Sequence, residues 1–179
     1  MEARYARRKT DQGGVMFRKH IFKDIQNRSV PQSGEIDIAA TTTVQVTSED
    51  SAHPIDNVFD CRRGPGGSLW VAEEPGEQTL LLAFDTPPTI HQIILEVEEP
   101  EVSRTQELWL SVSRDGGQTY RELRRQENNF SPPGTTFERE DRAMLAEGVT
   151  HLQLWMKPDK GGKPYRATLA SLVFKSAEN

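Results

Sequence analysis

The chain has 179 residues, enough for one domain with a sizeable core plus appendages. Hydrophobic residues make up 35% and charged residues 27%, and no run of about 18 apolar residues occurs, which excludes a helical membrane span. The net charge of −5 hides an asymmetry: residues 1–30 carry eight Lys/Arg against three acids (+5), and residues 31–179 carry fourteen against twenty-four (−10).

The basic arm comes first. Met1 to Asp11 holds Arg4, Arg7, Arg8 and Lys9 with no apolar stretch behind them, unlike a secretory signal, and Cys61 has no second cysteine to pair with. Together these give the expectation of a reducing, cytoplasmic location. A basic arm on an acidic body can touch phosphate or lie back on its own domain, and the second reading is favoured because long-range attraction needs no partner.

Within residues 16–26, Phe17, Ile21 and Ile25 recur every four residues, which predicts a short amphipathic helix. Residues 27–34 read as a linker, so the expected division is residues 1–34 (basic tail, helix, linker) and residues 35–179 (one domain).

From Glu35 onward the period is two. Val44 and Val46 alternate with Gln45 and Thr47, and Leu80, Leu82 and Phe84 share a face before Pro87-Pro88 breaks the chain. Ile90 to Val97 follows, then Leu108, Leu110 and Val112 opposite Trp109, Ser111 and Ser113. Asp115-Gly116-Gly117 makes a tight turn, Tyr120 to Leu123 returns from it, Val149 to Met156 alternates again, and Arg166 to Phe174 closes the series. Seven to nine short strands with Gly/Pro turns and no helical crossover predict an all-β, antiparallel jelly-roll β-sandwich.

Three stretches in this order resemble the discoidin, or coagulation-factor C-domain, superfamily of galactose-binding-domain-like folds. Ser48 to Asp60 followed by Ser68-Leu69-Trp70 is similar to its opening loop, Leu80–Phe84 with Pro87–Leu95 to its hairpin, and Leu108–Tyr120 to its strand ending in a D-G turn. The amino-terminal domain of the animal single-strand-break repair scaffold is similar in Ser48–His53, Trp70 and Phe130-Ser131-Pro132. The first resemblance implies a non-catalytic carbohydrate-binding module, and the second implies an intracellular scaffold recognising protein or nucleic-acid ends. The acidic body disfavours nucleic acid, since a phosphate binder normally shows a basic face.

On the first reading, the ligand sits among loops 60–69, 124–134 and 157–166. Arg62, Arg63 and Arg125 then hydrogen-bond hydroxyl or carboxylate groups, Tyr165 stacks, and Arg166 belongs to the same basic loops. The superfamily's bacterial members hold a structural calcium near the opening loop, which implies Asp60 and Ser68 as ligands here. The acid expected on the last strand is replaced by Ser171, which weakens that expectation toward no cofactor.

Trp109 and Trp155 fall out of phase with their core-forming neighbours. They predict either a surface covered by the Phe17/Ile21/Ile25 face or a homodimer contact, in preference to a ligand platform. Ser113 to Tyr120 also matches an Asp-box, but a propeller needs several copies and there is one, so it is read as a hairpin. No metal-ligand spacing joins His20, His53, His91 and His151, and no phosphate loop or nucleophile elbow is present, so the reading is a non-enzyme.

Overall fold

The alternation read in the sequence becomes two facing antiparallel layers. A computed structural model describes residues 31–177, together with the strand backbones at 6–9 and 15–19. The strands are β1 (Ala6–Lys9), β2 (Val15–Lys19), β3 (Thr42–Val46), β4 (Trp70–Pro75), β5 (Gln78–Phe84) and β6 (Ile90–Glu98). They continue as β7 (Arg104–Ser113), β8 (Arg121–Phe130), β9 (Phe137–Ala146), β10 (His151–Lys157), β11 (Arg166–Leu169) and β12 (Ser171–Lys175). The larger sheet has the order β1-β2-β3-β5-β10-β7-β8, the smaller is β12-β6-β9, and β11 pairs with β4.

Burial follows the period of two. In β5 and β10 every second side chain is buried, so Leu80, Leu82 and Phe84 meet Leu152, Leu154 and Met156 on the inner face. Leu108, Leu110 and Val112 extend that layer, and Ile93, Leu95, Val97, Leu172 and Phe174 pack against it from the smaller sheet. Removing this contiguous apolar area from water is the main drive for stacking the layers.

The open side between β8 and β9 is closed differently. Both edge strands are charged, and the Arg124–Glu140 pair at 3.6 Å spans the gap above Leu95 and Leu110. Charged edges deny further strands a template.

A short helix, α1, occupies Ile38–Thr41, where the Asp37 carboxylate accepts from the Ala40 N–H at 3.1 Å. Of the stretch predicted as helical, residues 16–19 lie instead in the strand Val15–Lys19, with Phe17 opposite Val46 of β3. An isolated helix of about eleven residues is marginal in water, whereas β3 offers a full row of unpaired backbone groups. Ile21, Ile25 and residues 27–30 of the expected linker lie outside the described residues.

Candidate functional site

One end of the sandwich is built from the 47–54 connection, the Pro75–Glu77 turn and the 157–166 loop. Its scaffold is Gln78, which is buried; its side-chain oxygen accepts from the hydroxyls of Thr47 (2.6 Å) and Ser48 (2.8 Å), and its amide donates to the Glu74 carbonyl at 3.0 Å. Trp70, fully buried, donates from Nε1 to the Ser48 carbonyl at 3.2 Å. These bonds aim the next residues outward.

Asp50 then folds the loop as Asx residues do, accepting from the Ala52 N–H at 2.8 Å. Its other oxygen takes Arg166 Nη2 at 2.6 Å, and Arg166 Nε donates to the Ala72 carbonyl. The Arg166 hydrogen bond, then the Ala52 N–H, hold the Asp50 carboxyl down at about 2, so the pair persists through neutral and mildly acid solution. His53 stands 3.4 Å from Asp50, with half of its side chain in solvent.

On the facing loop, the Gly76 N–H donates to the Tyr165 carbonyl at 3.0 Å, and Lys163 Nζ lies 5.8 Å from the Tyr165 ring centroid. Asp159 shapes this loop by accepting from the Lys163 N–H at 2.9 Å. A groove runs between the Pro75–Glu77 turn and the Lys157–Pro164 segment. Beneath it Arg104, buried, bridges Glu99 (2.7 Å), the Arg166 carbonyl (2.5 Å) and the Thr168 hydroxyl (3.1 Å). The end therefore offers hydrogen-bonding groups on a braced frame, with an imidazole and a phenol ring at its rim.

The residues singled out in the sequence are divided among three places. Tyr165 and Arg166 stand at this end. Arg62 is exposed, and Arg63 makes a two-point pair with Glu35 at 2.8 and 2.7 Å; both lie in the loop that crosses the outer face of the smaller sheet. Burial acts to raise the Glu35 carboxyl, but Arg63 and the Gln32 N–H together hold it below the usual range. Arg125 lies on the outer face of the larger sheet, with its guanidinium 3.8 Å from the Trp109 ring centroid. Asp50 and His53 belong to the opening loop that carried both resemblances, but no periodicity marks them as site residues. The signal available was that polar run itself.

Trp109 and Trp155 are cross-strand partners and stack at 4.4 Å with a tilt of 34°. Arg125 adds its guanidinium 3.8 Å from the Trp109 ring centroid, so that ring is engaged by both neighbours.

Asp60 and Ser68 do meet, the hydroxyl donating to the carboxylate at 2.5 Å while the Arg62 N–H donates to the other oxygen at 2.8 Å. Ser171 pairs across strands with Glu96, a buried carboxylate that accepts from the Gly64 N–H at 3.0 Å and from Arg139. Glu98 accepts from the Gly66 N–H at 2.9 Å. The loop thus turns N–H donors toward the carboxylates, where calcium requires oxygen acceptors. Among the described residues no group of three or more His, Cys, Asp or Glu is placed to hold a metal ion. These hydrogen bonds compete with a cation for the same oxygens, and millimolar calcium is expected to leave the unfolding midpoint where a chelator leaves it. A calcium-dependent rise in scanning calorimetry would contradict the assignment of these oxygens.

At the opposite end, the turn between β7 and β8 is the hairpin read from the sequence. Asp115 accepts from the Ser113 hydroxyl (2.6 Å), the Thr119 hydroxyl (2.6 Å) and the N–H groups of Gln118 and Thr119. Gly116 and Gly117 sit at φ of 75° and 83°.

The fold is discoidin-like. The chain is similar to CBM32-3 of a family 31 glycoside hydrolase from Clostridium perfringens, at 14% identity and a TM-score of 0.55 over 80% of this chain and 96% of that one. A pectin-binding carbohydrate-binding module matches at 18% identity and a TM-score of 0.53, covering 75% of this chain and 89% of that one. The family 32 module of Clostridium perfringens NanJ, solved with galactose, matches at 13% and 0.51, covering 80% and 98%. Comparison with protein-family models and with curated proteins gave no match.

Proposed function

We propose that this chain is a non-catalytic carbohydrate-binding module whose ligand is taken by the end carrying Asp50, His53, Tyr165 and Arg166. The observation that carries this reading is the Asp50–Arg166 pair. It ties two distant loops together at 2.6 Å and leaves the His53 imidazole and the remaining guanidinium N–H groups facing outward. Such groups match sugar hydroxyls, which both donate and accept, and Tyr165 supplies an aromatic face for ring C–H groups. The solved modules of the same fold support the ligand class.

The test is a glycan array run beside a gapped-DNA retention assay. Retention of a glycan that survives moderate salt, and falls at least tenfold in Arg166→Ala and Tyr165→Ala, is the expected result. DNA retention that collapses with salt would support the scaffold reading in its place.

A further inference from the structure

The hairpin end of the sandwich carries charges that the rest of the fold leaves unused. Seven arginines of the described body have acidic partners: Arg63, Arg104, Arg124, Arg125, Arg139, Arg142 and Arg166. Arg62, Arg114 and Arg121 have none among the described residues, and the last two line one cleft floored by Val112 and walled by Tyr120. Tyr120 and Leu145 are the two large hydrophobic side chains left exposed among the described residues.

Two further observations make this cleft more than a solvated turn. The Tyr120 hydroxyl lies over Gly117, where an added Cβ would come within 3.2 Å of the oxygen and 3.4 Å of the His151 ring, so only glycine leaves the ring its present seat. Asp115 also lines the cleft, but the acids nearby are already hydrogen-bonded or paired. Asp115 turns its carboxylate into its own hairpin, and Glu122 pairs with Arg125 at 3.2 Å. Two guanidinium groups therefore face the cleft on a body that is otherwise acidic, beside a phenol ring in solvent.

We propose that the Arg114–Tyr120–Arg121 cleft is a second binding site, specific for an anionic sugar residue, a pyranose bearing a carboxylate or sulfate. Guanidinium groups bind such anions through paired N–H donors, and the Tyr120 ring takes the apolar face of the pyranose. The site extends the carbohydrate reading to the other end of β7, about 30 Å from Arg104 at the rise of a strand. Two sites at opposite ends would let one module bridge two chains or grip one charged chain twice, raising retention through effective concentration.

The experiment is an amide-resolved NMR titration of the full chain with galacturonic acid, galactose 6-sulfate, galactose and inorganic sulfate as separate probes. Galacturonic acid and galactose 6-sulfate are expected to shift the amides of Gly116 to Arg121. The Arg114→Gln/Arg121→Gln double variant is expected to weaken them at least tenfold, with Tyr120→Ala acting in the same direction. Arg166→Ala at the far end should leave those shifts intact, so failure of the end-loop reading would register separately, at Asp50, His53 and Tyr165. Silence of the hairpin amides, shifts that persist in the double variant, an equal response to galactose, or inorganic sulfate matching the charged sugars would each overturn the proposal.

Discussion

Replacing Arg104 by methionine is expected to destabilise the protein by about 3–5 kcal/mol, lowering the thermal midpoint by about 10 °C. The side chain is buried, and burial pulls its guanidinium below its usual range while Glu99 works the other way. Methionine fills much of the volume but abandons the Glu99 carboxylate, itself buried and already accepting from the Glu101 and Val102 N–H groups at 2.9 and 3.1 Å. It also frees the Arg166 carbonyl. A lone buried charge costs more than the pair contributed, so the double variant Arg104→Met/Glu99→Gln should recover a good part of the loss. Chemical denaturation measures both. A loss under about 1 kcal/mol in the single variant would mean that Glu99 finds water, and that the pair does not brace the groove.

Trp70→Ala carries the second large effect, also about 3–5 kcal/mol, because it removes the largest fully buried side chain and leaves a cavity in the core. Trp70→Phe separates packing from hydrogen bonding. It keeps a ring but strips the Ser48 carbonyl of its indole donor, for a cost of about 1–2 kcal/mol. If the end loops bind glycan, Trp70→Phe should weaken retention more than its stability loss implies, since Ser48 leads directly into Asp50 and His53. Retention unchanged in a folded Trp70→Phe protein would show that this anchor does not order the rim.

The layered fold was readable because inward and outward residues differ in kind along each strand. Leu108, Leu110 and Val112 against Trp109, Ser111 and Ser113 gave the correct inner face, and the structure buries the first three. The Asp115 hairpin was readable for the same local reason, since its donors and acceptors lie within a few residues of one another. The stretch around Phe17 misled because a spacing of four was consistent with a helix, while the partner that makes it a strand, β3, lies far away in sequence.

The binding candidates were the least readable part. Arg62, Arg63 and Arg125 share chemistry and a likeness of loop position, yet Arg63 is occupied by Glu35 from 28 residues away, and Arg125 lies over a tryptophan ring on a sheet face. The pair that organises the proposed site, Asp50 with Arg166, is separated by 116 residues. Sequence by itself determined which side chains enter the core and where the chain turns, because period and turn chemistry act over a few residues. Only the tertiary structure decided which arginines are spent on internal partners and which still face solvent. That division depends on which distant carboxylates the packed sheets bring within about 4 Å, and no local pattern encodes it.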